Sequence, residues 1–159
     1  MSTRLNHFQQ SANHLSDLMK LSMNLKESAI ELGLRDLVNI RASLLNGCAF
    51  CLDMHVKEAK IHGERELRVH HVSIWRESTL FTDRERAALE WTEVVTRLPS
   101  GGVPDKVYED VRKQLSEKEL SDLTYVIGTI NMWNRLAISF QPVPGSSDRA
   151  FGLDKSGLN

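Results

Sequence analysis

The sequence predicts an all-α protein. Apolar residues recur at intervals of three and four along most of the chain, the period of one helix face. Two Ser/Thr-x-x-Glu stretches, Thr82–Glu85 and Ser116–Glu119, have the form of capping boxes that open helices. No stretch alternates between apolar and polar residues in the way a pair of strands requires.

Taken in order, Leu15, Leu18, Ser22, Leu25, Ala29 and Leu32 line one face and predict a helix from Ser11 to Leu32, with Gly33 as its stop. A second helix is expected from Leu34 to Leu45. Its Leu37, Val38, Ile40, Ala42, Leu44 and Leu45 are apolar on more than one side, so it belongs at the centre. Asp36 and Arg41 lie within it, and charges there cost free energy unless paired or used. Asn46-Gly47 breaks the helix. The next is expected to start at the cysteines, capped by Asn46 or Gly47, and to run to His62, where Gly63 ends it. Glu64–Glu77 reads as a shorter helical region with Leu67, Val69, Ile74 and Trp75 as its apolar members. The helix behind Thr82 buries Ala88, Trp91, Val95 and Leu98. Pro99–Gly102 is a loop, and Pro104 suits the first turn of a helix through Val107 and Val111. The last helix carries Leu120, Leu123, Ile127, Ile130, Asn131, Asn134 and Ala137 on one face. Val126, Trp133, Leu136 and Phe140 lie on the other. Residues 1–140 thus read as one helical domain, and 141–159 as a polar, turn-rich tail or arm.

The chain has 159 residues and a net charge of −1, from 20 basic and 21 acidic side chains. That balance leaves no electrostatic footprint for nucleic acid or an anionic membrane. No apolar run approaches the ~20 residues of a membrane span. The opening MSTRLNHFQQSANH lacks the apolar core of a secretory leader, which makes the cytoplasm the expected compartment. The glycines fit no phosphate-binding loop, and no cofactor is expected.

The chemistry concentrates in NGCAFCLDMH, residues 46–55, which holds both cysteines of the chain. On a helix, Cys48 and Cys51 share a face, and His55 lies on it too. A bridge between them closes only a short loop, so it suits opening and closing better than stapling. Thiols in a first helical turn are favoured as thiolates by the free N–H groups and the dipole there. Three readings compete. One is a redox dithiol, in which a thiolate attacks a peroxide, becomes a sulfenic acid and condenses with its neighbour, an imidazole supplying protons. Another is zinc, for which no second CxxC exists and only His62, His70 or His71 could add a ligand. The third is plain burial of two small residues. Spacing, helix position and the histidine in phase favour the first, and no metal is expected. Trp91 and Trp133 read as core or interface aromatics, and Asn131 and Asn134 as partners for buried polar groups. His70-His71 reads as surface or a local hydrogen bond, and Asp53 as a charge favoured by the helix dipole.

The segment LVNIRASLLNGCAFCLDMHVKEAKIHGE, with IWRESTLFTDRERAALEWTEVVTRL and LSEKELSDLTYVIGTINMWNRLAIS, resembles the alkylhydroperoxidase D-like (AhpD-like) proteins of the carboxymuconolactone decarboxylase superfamily. The resemblance implies an AhpD-like all-helical fold, assembly as trimers or hexamers, and peroxidase activity on hydroperoxides. The reductant would be a small thiol, a thioredoxin-like protein or a lipoyl-type protein. It implies Cys51 as the peroxidatic thiol and Cys48 as its disulfide partner. His55 would belong to a proton relay, completed by an acidic residue twelve positions before Cys48, here Asp36. Two positions depart from the pattern. Asp36 stands where Glu is usual, one methylene shorter, and Ala49-Phe50 lie where the best-known members place a histidine. The superfamily's decarboxylases lack the cysteine pair, so its presence argues against their activity. The dipole alone favours Cys48 as the more acidic thiol, whereas the resemblance favours Cys51, which is preferred because a hydrogen bond to a specific base acts at shorter range and also supplies the proton. A non-catalytic module whose assembly responds to the dithiol is the rival reading.

Overall fold

The computed structural model describes residues 3–158, and among these every regular element is helical. A short α1 (His7–Gln10) leads into α2 (Ala12–Asn24). The helix expected to continue to Leu32 stops at Asn24, passes through a 3₁₀ turn (Leu25–Glu27) and becomes extended at Ser28. Side chains from distant elements impose this break. Asp122 Oδ2 accepts the Ala29 N–H at 2.8 Å, and Arg35 Nη1 donates to the carbonyls of Leu25 and Lys26 at 3.1 Å each. The apolar rhythm runs on across the break because Leu25 and Ile30 still pack against the same core cluster. Gly33, expected as a stop, sits inside the first turn of α3 (Leu32–Asn46).

α3 is the central helix, with Leu37, Val38, Ile40 and Ala42 at most 1% exposed. Its charges are paired as the energetics demand: Arg41 meets Glu93 at 2.6 Å and Asp36 meets His62 at 2.7 Å. Gly47 closes α3 in the left-handed region, φ 68°, which costs glycine nothing. The cap of α4 (Ala49–Ile61) is Cys48 itself, not Asn46 or Gly47.

α5 (Glu66–His71) and a 3₁₀ turn (Val72–Ile74) replace the longer helix expected over 64–77, and Leu67 and Ile74 point outward. α6 (Asp83–Arg97) opens with the Thr82–Glu85 capping box and buries Ala88 and Trp91. Leu98, expected in that core, terminates the helix at φ 32° and is exposed. α7 (Asp105–Arg112) follows Pro104. α8 (Glu117–Phe140) opens with the Ser116–Glu119 box and buries the face from Leu120 to Ala137 that the periodicity marks. Gln141 turns the chain back. α9 (Asp148–Phe151) and a 3₁₀ turn (Leu153–Ser156) then lie along α4, with Leu153 buried. No helix among the described residues is long and apolar enough to cross a membrane.

The core has three parts. One joins α3, α6, α7 and α8 around Leu34, Val38, Trp91 and Ile127. A second joins α3, α4 and α6 around Leu37, Ile40, Ala59 and Leu89. The third lies at the cysteines, where Ala42, Ile130 and Ala137 pack on both thiols, flanked by Phe50 and Trp133. It holds the functional end of α4 against α3 and α8.

Candidate active site

The cysteines are free and buried, 2% and 4% exposed. As the cap of α4, Cys48 presents its Sγ to the Cys51 backbone N–H at 3.4 Å. The Cys51 thiol donates to the same sulfur, and the Asn134 amide adds a further hydrogen bond. Chiefly through the Cys51 thiol, and against the effect of burial, these donors pull the Cys48 thiol down to about 7. Cys51 moves the opposite way, because ionising it would sacrifice the hydrogen bond to Cys48 in a buried setting beside a negative sulfur. The pair therefore gives up its first proton as a unit, with the charge resting mainly on Cys48.

Asn134 is fully buried and held on both sides. Its Oδ1 accepts from Asn46 at 2.8 Å and its Nδ2 donates to Ser43 Oγ at 3.2 Å. Asn131 accepts from Asn46 at 2.9 Å and donates to Thr96 Oγ1 at 3.0 Å. These asparagines do satisfy buried polar groups, as their positions suggest, and Asn134 also reaches the thiols.

Cys51, not Cys48, lines a mainly apolar cavity of about 650 Å³. Its walls come from α1, α2, α3, α4, α8 and the C-terminal segment, with Phe8, Met19, Phe50, Trp133 and Phe151 among them. Trp133 is fixed by donating to Ser22 Oγ at 3.0 Å, so an aromatic read as core is also cavity wall. Trp91 is core, donating to Thr124 Oγ1 at 3.0 Å. Phe50, between the two cysteines, contributes an apolar surface to the cavity.

Four polar groups, from α4, its C-terminal cap and α3, form two acid–imidazole pairs. His55 Nδ1 lies 2.7 Å from Glu58 Oε2, and His62 Nδ1 lies 2.7 Å from Asp36 Oδ2. All four line the cavity. Asp36 and His55, expected as hydrogen-bonded relay partners, thus each have a different partner. Burial raises the Asp36 carboxyl above its ordinary range, opposed by His62. Burial alone would raise Glu58 too, but its hydrogen bond to His55, with the charges of His55, Lys26 and His62, holds it below the ordinary value. Sequence reasoning missed Glu58, although its i+3 spacing from His55 was a usable signal.

The remaining candidates lie apart from the thiols. His71 makes a local hydrogen bond to Ser78 Oγ at 3.0 Å. Asp53 accepts from Lys57 at 2.9 Å and from the Gly145 N–H at 3.1 Å, which makes it an anchor for the C-terminal segment. Among the described residues no group of three or more His, Cys, Asp or Glu is placed to hold a metal ion.

An all-helical chain with a hydrogen-bonded dithiol at the head of a helix, beside an imidazole and an apolar cavity, defines a helical dithiol protein of the AhpD-like class. Residues 12–94 match the carboxymuconolactone decarboxylase family, and the chain belongs to it as an AhpD-like member. It is 38% identical over 139 residues to YdfG of Bacillus subtilis (strain 168), an uncharacterised protein. That match covers 87% of this chain and 95% of YdfG. It is 39% identical, with a TM-score of 0.87, to ATU0492 of Agrobacterium tumefaciens, a protein of unknown function proposed to be the antioxidant defence protein AhpD. Here 90% of this chain and 98% of the other are covered. An uncharacterised peroxidase-related protein from Ralstonia eutropha JMP134, described as an alkylhydroperoxidase AhpD core, shares the fold. Its TM-score is 0.78 at 17% identity, over 89% of this chain and 75% of its own.

Proposed function

We propose that this protein is a thiol-dependent peroxidase that reduces organic hydroperoxides by cycling Cys48 and Cys51 between dithiol and disulfide. The observation that carries the reading is the hydrogen-bonded thiol pair with Cys51 on the wall of an apolar cavity that also holds His55. The antioxidant and peroxidase-related descriptions of its structural relatives agree with it.

The pair gives its first proton to His55, forming the imidazolium, and moving the second from Cys51 to Cys48 along their hydrogen bond leaves the thiolate on the sulfur that faces the cavity. That thiolate attacks the hydroperoxide O–O bond. A Cys51 sulfenic acid forms, and the alkoxide leaves and takes the Cys48 proton as the alcohol. The Cys48 thiolate, now unprotonated, attacks the Cys51 sulfur. Hydroxide leaves and takes a proton from the His55 imidazolium as water. One hydroperoxide and two thiols become one alcohol, one water and one disulfide. An external dithiol, a small thiol or a lipoyl- or thioredoxin-type protein, then reopens the disulfide by exchange. The apolar walls favour a hydroperoxide carrying a bulky organic group over hydrogen peroxide.

The test is loss of cumene hydroperoxide in the presence of excess dithiothreitol. The parent turns over, and Cys51→Ser falls to the background rate. Equal rates for the two would end the proposal. No turnover, with a change of mass in solution on oxidation, would instead support the redox-responsive module.

A further inference from the structure

Glu58 is a residue that neither the motif nor the resemblance assigns. Its carboxylate meets His55 Nδ1 at 2.7 Å on α4, while the carboxylate expected for that imidazole, Asp36, is taken by His62 at 2.7 Å. We propose that Glu58 is the positioning residue of this site, holding His55 in the tautomer with its proton on Nδ1 and its lone pair on Nε2.

The argument is one of donors and acceptors. A Glu58 carboxylate can only accept, so the short contact requires the proton on Nδ1 of the neutral ring. The nitrogen left to accept and return a proton is then Nε2. A carboxylate behind the ring also stabilises the imidazolium that forms when it does so. The charged and titratable groups around the ring agree. On α4 and its two caps they are Cys48, Cys51, Glu58 and His62; α3 adds Asp36, and the 3₁₀ turn after α2 adds Lys26. Lys26 and His62 both help keep Glu58 ionised, which keeps it an acceptor. Asp36 Oδ2 is engaged by His62. His62, with a side chain 31% exposed, instead links that buried carboxyl to solvent. Glu58 therefore supplies the imidazole partner that the shorter Asp36 does not.

The consequence for turnover rests on the peroxidase reading; the tautomer does not. The experiment uses the full chain with ¹⁵N-labelled histidine, at about pH 8.5 where a free imidazole is neutral. Long-range ¹H–¹⁵N spectra are expected to show His55 as the Nδ1–H form in the parent and in Asp36→Asn. In Glu58→Gln the Nδ1–H preference is lost, and Glu58→Asp restores it in part. With cumene hydroperoxide, Glu58→Gln lowers kcat about tenfold to a hundredfold with KM little changed, part of the ~10²–10⁴ that positioned acid–base groups supply. An unchanged His55 tautomer in Glu58→Gln would overturn the proposal, as would its loss in Asp36→Asn. A parent without peroxidase activity whose tautomer still depends on Glu58 would defeat the proposed function and leave this assignment standing.

Discussion

Cys48 owes its acidity chiefly to the Cys51 thiol, and its place as the cap of α4 adds the Cys51 backbone N–H. Its sulfur replaces the hydroxyl or carboxylate oxygen that usually ends a helix, so the donors that satisfy the helix also stabilise a thiolate. With its thiol pulled down to about 7, the reduced pair ionises as pH rises through that value. Alkylation by iodoacetamide should accordingly quicken across a midpoint about one unit or more below the ~8.5 of an ordinary cysteine, then level off. Below that midpoint the thiolate, and with it the rate, is lost tenfold per unit. Asn134→Ala removes a donor to the charged sulfur and should move the midpoint upward. An unmoved midpoint would show that Asn134 serves Asn46 and Ser43 and not the thiolate. The sequence shows the two thiols in phase, and sets the dipole, which favours Cys48, against the resemblance, which favours Cys51. It does not show that Cys51 alone lines the cavity, because that depends on Ile130, Trp133 and Ala137 from a helix some eighty positions away. Asp36 was legible as a buried acid needing a partner. Its pairing with His62, across two helices and 26 positions, was not.

Helices declare themselves locally through caps and periodicity, and they join through side chains that sequence leaves anonymous. Both capping boxes form as their spacing requires, since each needs only four consecutive residues. The break after Asn24 was hidden because its cause, Asp122, lies on α8. Arg41 shows the same division: the need for a partner was plain, but Glu93 lies 52 positions on. Glu93 Oε1 accepts from Arg41 Nη2 at 2.6 Å and Trp75 Nε1 at 2.7 Å, while Oε2 accepts from Arg76 at 2.6 Å. One carboxylate thus ties α3 and the turn after α5 to α6. Removing it leaves a largely buried guanidinium without its counter-charge, donating only to the Val72 and Ser73 carbonyls, and an indole N–H without an acceptor. Glu93→Ala should therefore cost about 2–4 kcal/mol, read as a lower urea midpoint at unchanged slope. A loss below about 0.5 kcal/mol, the usual effect of a surface change, would mean that the network adds nothing to stability.

At the scale of the whole molecule, the C-terminal segment completes the cavity. Composition marks residues after Phe140 as polar and turn-rich, but their attachment is tertiary and leaves little local trace. Lys57, buried on α4, donates to Asp148 Oδ2 at 2.6 Å and to Asp53 at 2.9 Å, and Asp53 also holds the Gly145 N–H. The ion pair with Asp148 is the first cause of the raised Lys57 ammonium. Leu153 and Ser156 are buried behind this anchor, while Pro142, Ser147, Ala150 and Phe151 face the cavity. The segment is thus a strap that forms one wall of the cavity. Asp148→Ala should loosen it while Asp53 keeps Lys57 charged and paired. Amide exchange over 146–156 should quicken by about one to two orders of magnitude, because local opening no longer has to break the ion pair. KM for cumene hydroperoxide should rise several-fold, and that for tert-butyl hydroperoxide by less, since the bulkier group leans on more of the wall. The alkylation midpoint should stay at its parent value, because every donor to Cys48 lies on α4 or α8. Faster exchange with both KM values unchanged would mean that the strap only covers α4. A shifted thiol midpoint would mean that the strap and the dithiol are coupled through the helix they share.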